Sequence, residues 1–203
     1  TFLFIYTSNV CFKLIYNFYR TFNLLTLKLK SMIKKNNYSK KELIDHSEGI
    51  LNGMENGKLP QPPMLMIDRI ININDLNGKY SKGSITAELD IEEKNWFFHC
   101  HFKGDPVMPG CLGLDGMWQL VGFYLTWLGE KGRGRALGVG DVKFKGQIRP
   151  YHTKINYKID IKKLLKRSEK IIIWADGEIS TNKNKTIYFA KNLQVGLFQN
   201  LTY

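Results

Sequence analysis

Apolar and polar residues alternate most cleanly over positions 155–161. Ile155, Tyr157, Ile159 and Ile161 are separated by Asn156, Lys158 and Asp160. A period of two is the pattern of a half-buried β-strand. A polar turn at 166–170 follows, and Ile171 to Trp174 open another strand. A second turn at 181–184 leads into a last strand over 187–197. Upstream, 64–73 reads as a strand and 79–89 as a second, with Ile85, Ala87 and Leu89 alternating. The turn NDLNG at 74–78 lies between them, so the pair predicts an antiparallel hairpin.

Two segments carry helical signals. Ser39 and Glu42 are spaced as a capping box, predicting a short helix that ends near Gly49. Gly53, Gly57, Pro60, Pro62 and Pro63 then mark a loop. Residues 111–129 (CLGLDGMWQLVGFYLTWLG) are apolar on nearly all sides, which predicts a helix buried all round rather than one with a single apolar stripe. Its length is near the lower limit for a bilayer span. Asp115 and Gln119 inside it, and its Gly/Pro-rich polar flanks, favour a core helix instead. Gly129, Gly132 and Gly134 predict turns before further strands. The expected class is therefore α+β, with one long buried helix wrapped by a mostly antiparallel sheet. No internal repeat and no phosphate-cradling glycine loop is present.

Composition adds boundaries. The 203 residues are 43% apolar and 24% charged, which suits one well-buried core or two small domains. Cys11, Cys100 and Cys111 make neither a disulfide scaffold nor a zinc spacing, so reduced thiols are the default. Residues 1–31 differ from the rest: they hold no acid, four cations and eight aromatics. They read as an extension outside the fold, either sequence upstream of a start at Met32 or an organelle transit peptide. Residues 32–203 form the expected domain. The net charge of +12 admits an acidic partner. A nucleic-acid-binding reading needs aromatics interleaved with exposed cations. Trp118, Phe123, Tyr124 and Trp127 fall on the apolar helix instead.

The densest chemistry lies at 96–119, WFFHCHFKGDPVMPGCLGLDGMWQ. Glycine and proline before a helix leave its first amides open, and these favour a developing negative charge. Asp115 lies about a turn inside the helix among Leu114, Met117 and Trp118. Desolvation there would keep a carboxyl protonated and able to donate. Gln119, four residues on, shares its face. A solvent-facing aspartate is the competing reading. His101 suits a general base, against the plainer role of a structural histidine. His99 and His101 flank Cys100, but no third ligand at a zinc spacing supports a metal.

The stretch WFF-x-C-H-F-x-G-D-P-V-M-P-G-C-L-G-L-D-x-M-W-Q-L-V-G-F-Y resembles the bifunctional 3-hydroxydecanoyl–acyl carrier protein dehydratase/isomerases of bacterial type II fatty acid synthesis. MLMIDRI at 64–70, GRALGVGDVKFKGQI at 134–148, ADGEI at 175–179 and VGLFQ at 195–199 share the likeness, which runs from about Met32 to the end. The resemblance implies the hotdog fold, a homodimer and a tunnel for the acyl chain at the subunit interface. It implies His101 and Asp115 as the catalytic pair, one from each subunit. Gly110 would bind the thioester carbonyl, the Val107 carbonyl would orient the histidine, and Gln119 would partner the acid. Aspartate at 115, rather than glutamate, favours the bifunctional subtype. His99 departs from the small residue usual there. The implied reaction needs no cofactor. The partner would be acyl carrier protein, steered to Lys162, Lys163, Lys166, Arg167 and Lys170, with Lys131, Arg133 and Arg135 as further candidates. No metal, nucleic acid or membrane enters this reading, and the location would be cytoplasmic, or a plastid if 1–31 is a transit peptide. Competing readings are a hotdog dehydratase without isomerase activity, a thioesterase, and an inactive homologue.

Overall fold

The capping box at Ser39 forms: the Ser39 backbone N–H donates to the Glu42 carboxylate at 3.0 Å, and helix α1 runs Lys40–Glu48. Gly49 ends it in the left-handed region at φ 83°, where a side chain would be strained. The computed structural model describes residues 34–199, except 52, 54, 55, 168, 169, 183 and 184. The extension read at 1–31 lies outside the described residues.

Among the described residues seven strands follow: β1 (Arg69–Asn74), β2 (Ser84–Asp90), β3 (Arg133–Gly138), β4 (Asp141–Phe144), β5 (Lys154–Arg167), β6 (Lys170–Thr181) and β7 (Thr186–Phe198). Helix α2 (Gly110–Trp127) lies between β2 and β3 in the chain, preceded by a short 3-10 turn at Trp96–His99. All pairings are antiparallel, in the order β1-β2-β5-β6-β7-β3, with β4 also on β7. The period-two run is the start of β5. Its residues Ile155, Tyr157, Ile159 and Ile161 are all buried.

The sheet wraps α2. Met117, Leu120, Val121, Phe123, Tyr124 and Leu125 of the helix are buried with Ile173, Ala175 and Ile179 of β6 and Leu193, Val195 and Leu197 of β7. Burying each large aliphatic side chain contributes about 1.5–3 kcal/mol. Gly177 allows the approach: a Cβ there would stand 2.7 Å from Met117 Sδ.

Four expectations are corrected. Residues 64–68 are not strand. Met66 N–H donates to Gln119 Oε1 at 3.0 Å and Gln119 Nε2 donates to Met64 O at 2.8 Å, so the helix side chain takes the bonds a neighbouring strand would have made. Residues 79–83 also stay outside β2. Lys79 N–H is held by Asp160 Oδ1 at 2.9 Å, and Ser81 and Gly83 adopt positive φ. Finally, α2 is not covered on all sides. Cys111 is exposed, and Asp115, Trp118, Gly122 and Thr126 are only half-buried. These positions recur every three or four residues and form one helical stripe. Gly134, read as part of a turn, belongs to β3.

Candidate active site

His101, the expected base, is positioned by backbone. Phe97 and Phe98, both buried, anchor the 3-10 turn, and the His101 N–H donates to Phe97 O at 3.0 Å. The chain then reverses, with Phe102 and Asp105 exchanging two backbone bonds at 3.0 Å each. That turn brings Val107 back over His101. Val107 N–H donates to His101 O at 2.8 Å, and His101 Nδ1 bonds Val107 O at 2.9 Å. A carbonyl can only accept, so Nδ1 carries the hydrogen and neutral His101 presents a bare Nε2. This is the tautomer a general base needs.

Arg149 braces the same turn from outside. Its Nη1 donates to the Asp105 carboxylate and, at 3.3 Å, to Pro106 O. Met108 N–H donates to Ile148 O at 2.9 Å beside it. Arg149 carried no motif signal, because the two partners by which it braces the turn, Asp105 and Pro106, lie more than 40 residues away in the chain.

Asp115, the expected acid, is positioned by packing. Pro109 precedes α2 and Gly110 is its first residue, where amide N–H groups have no partner within the helix and the dipole is positive. A Cβ at Gly110 would meet the Phe144 ring at 3.0 Å, so glycine keeps this corner narrow. One turn on, Asp115 accepts a hydrogen bond from Gln119 Nε2 at 2.6 Å. Gln119 is fully used: one amide hydrogen on Asp115, the other on Met64 O, and its oxygen on Met66 N–H. Burial raises the Asp115 carboxyl above its ordinary value, and the Gln119 bond only partly opposes this. Tyr157 is close by. Among the described residues its hydroxyl is buried without a hydrogen-bond partner, and a Cβ on Gly116 would stand 2.6 Å from it. Burial, and then the Asp115 charge, raise the Tyr157 pKa, so it stays neutral.

A cavity of about 430 Å³ runs along the open stripe of α2. Asp115 and Gln119 line it, and His101 does not. Among the described residues no hydrogen bond joins the His101–Val107 group to the Asp115–Gln119 group. The chain thus holds a histidine with an open nitrogen and a carboxyl raised by burial, as two separate units. Cys100 is exposed and His99 ends the 3-10 turn, also exposed. Among the described residues no three His, Cys, Asp or Glu side chains gather as a metal site would require.

Some of the basic residues read as a docking surface fall at one end of the sheet. Arg133 of β3 and Lys170 of β6 both pair with Phe198 of β7. Several have partners within the chain. Lys162 donates to Asn192 Oδ1 at 2.6 Å and meets Asp176 at 3.4 Å, Lys166 pairs with Glu130, and Lys163 sits over the Trp174 ring. Arg167 and Lys170 are exposed.

A family model, the FabA-like domain, matches residues 59–191 and so spans both units of the site. The chain belongs to the FabA-like family. Its fold is the hotdog, and solved structures share it. A dehydratase heterocomplex, ApeI:P from Xenorhabdus doucetiae, aligns at 16% identity and a TM-score of 0.50, over 69% of this chain and 86% of that one. A hypothetical thioesterase with coenzyme A from Streptococcus pneumoniae TIGR4 aligns at 12% and 0.46, over 65% and 87%. At such identities the likeness concerns the fold. Membership of the FabA-like family rests on the matched segment, which includes His101, Val107, Gly110, Asp115 and Gln119. It excludes His46, whose place at the far end of the cavity no sequence motif signalled. No described helix is long and apolar enough to cross a membrane.

Proposed function

We propose that this FabA-like protein dehydrates (3R)-3-hydroxyacyl thioesters carried on acyl carrier protein and isomerises the trans-2 product to the cis-3 enoyl thioester. Family membership supports a dehydratase-type enzyme. The observation that carries the reading is the division of labour between His101, held with Nε2 bare, and Asp115, whose burial favours its proton.

His101 Nε2 takes a proton from C2. The Gly110 amide holds the charge that develops on the thioester oxygen. Asp115 gives its proton to the 3-hydroxyl, which leaves as water while the C2–C3 double bond forms. In the isomerisation a proton leaves C4, the double bond moves to C3–C4, and C2 is protonated. No redox step or group carrier is required. The reading pairs His101 of one protomer with the partner subunit's Asp115 in a homodimer. The open stripe of α2 supports that pairing, since in one protomer the cavity meets the acid without the base. Carrier docking on the basic end of the sheet, through Lys163, Arg167 and Lys170 above all, belongs to the same proposal, as does a cytoplasmic location.

The test supplies the full chain with 3-hydroxydecanoyl thioester on carrier protein and separates the products by double-bond position. Both trans-2 and cis-3 decenoyl products are expected. The trans-2 product alone would remove the isomerase half. No product from a folded protein would overturn the reading.

A further inference from the structure

The cavity that begins at Asp115 has a polar end wall. Asp115, Trp118, Gly122 and Thr126 all line it. The first and last are eleven helical positions apart, a run of ~16 Å. The volume of about 430 Å³ is in the range of small-ligand sites, roughly 300–1,000 Å³. Trp118, Phe123, Val195 and Leu197 make its sides apolar. A Cβ at Gly122 would meet only Val195 Cγ1, at 3.9 Å, so the middle is open.

The far end is walled by Gly57, Thr126 and Leu197: a Cβ on Gly57 would stand 2.9 Å from Thr126 Cγ2 and 3.3 Å from Leu197 Cδ2. His46 of α1, 2% exposed, fills the remaining corner. Leu59 N–H donates to His46 Nδ1 at 3.2 Å, so the ring hydrogen is on Nε2. Nε2 then donates to Thr126 Oγ1 at 3.2 Å, and the threonine hydroxyl donates to Phe123 O at 2.9 Å. The ring also packs on Phe123, with centroids 4.8 Å apart. Turning the imidazole aside would strand a buried N–H at Leu59 and break this directed chain.

We propose that His46, locked to Thr126, is the specificity-determining residue that limits the length of acyl tail this protein accepts. The proposal rests on the acyl-thioester reading and takes the cavity as the channel for the tail beyond the reacting carbons. Tail carbons would pass Trp118 and Gly122 and stop at the imidazole. A longer tail would have to displace a hydrogen-bonded polar pair with methylenes that cannot replace its bonds.

The test compares kcat/KM for 3-hydroxyacyl thioesters of eight, ten, twelve and fourteen carbons in wild type, His46→Ser and Gly122→Leu. In a hydrophobic pocket one methylene changes selectivity by roughly 10–200-fold. His46→Ser is expected to raise the fourteen-to-eight-carbon ratio by about tenfold or more. Gly122→Leu is expected to lower it. A ratio within twofold of wild type in a folded His46→Ser protein, or both variants moving the ratio the same way, overturns the proposal. If His46→Ser does not fold, Thr126→Gly opens the same end and carries the same expectation. Failure of the dehydratase reading appears separately, as no turnover by wild type at any length. Length is then read from Trp fluorescence during titration with saturated octanoyl- to tetradecanoyl-pantetheine. Unchanged relative affinities in the His46→Ser protein would again overturn it.

Discussion

The loop that carries His101 and the helix that carries Asp115 solve opposite problems. His101 is half-exposed, and one bond to the Val107 carbonyl decides which nitrogen is bare. Its support is a web of backbone bonds braced by Arg149. Asp115 stands on a helix packed into the sheet, and its proton is favoured by desolvation. Geometry orients His101, and burial raises the Asp115 carboxyl. The first should tolerate changes that preserve the turn. The second should be sensitive to anything that alters burial.

The largest expected effect separates the two regions directly. His101→Ala and Asp115→Asn should each lower turnover by about 10²–10⁴-fold or more. Their stabilities should diverge. The Asp115 carboxyl is held above its ordinary value of 3.8, so the fold favours its protonated form. That contribution is complete below the unfolded value and is lost as pH rises through the folded pKa. Asp115→Asn should therefore raise Tm at pH 7, with the gain vanishing near pH 3. His101→Ala should change Tm little. An Asp115→Asn protein with lower Tm at pH 7 would break the comparison.

Acid titration of His46 extends it to the far end of the cavity. Burial lowers this imidazole from 6.5 to about 4, so the fold favours the neutral ring. Its contribution is present above pH 6.5 and is lost as pH falls towards 4. The loss is on the order of 3 kcal/mol at one pKa unit per 1.36 kcal/mol. Urea unfolding at pH 7 and pH 4.5 reads it, and His46→Gln should flatten that part of the profile.

Smaller effects follow on each side. Gln119→Leu leaves Met64 O and Met66 N–H unpaired and should cost about 2 kcal/mol in denaturant unfolding. On the loop, Arg149→Met should lower Tm only slightly, because a half-exposed ion pair contributes about 0–1 kcal/mol. The same change should lower kcat more than it raises KM, because the turn that aims Val107 O loses its brace. The smallest effect belongs to Tyr157→Phe, which removes a buried hydroxyl that has no partner. It should be neutral or stabilising by up to about 1 kcal/mol in the same unfolding assay.

Local patterns read well where the local interaction is also the final one. The Ser39–Glu42 box closes within four residues and forms. The alternation at 155–161 was legible because one face of β5 is buried. The start of β1 was misread because apolar residues at 64–68 look like strand, while Gln119, more than 50 residues away, binds their backbone. The kinked edge formed by β3 and β4 on β7 had no distinct period to read. Among site residues, the 96–119 block could be found because base, turn and acid are close in the chain. Arg149 and His46 reach their sites only through long-range contacts.

Elements whose hydrogen bonds close nearby, the largely apolar character of α2, and an aspartate and a histidine near its start were all legible along the chain. The open stripe of α2, the partial burial of Asp115 beside Gln119 and the place of His46 on the cavity wall came from the packing. The reason is physical: period and capping are written in residues a few positions apart, whereas burial, proton affinity and cavity length depend on which distant atoms exclude water.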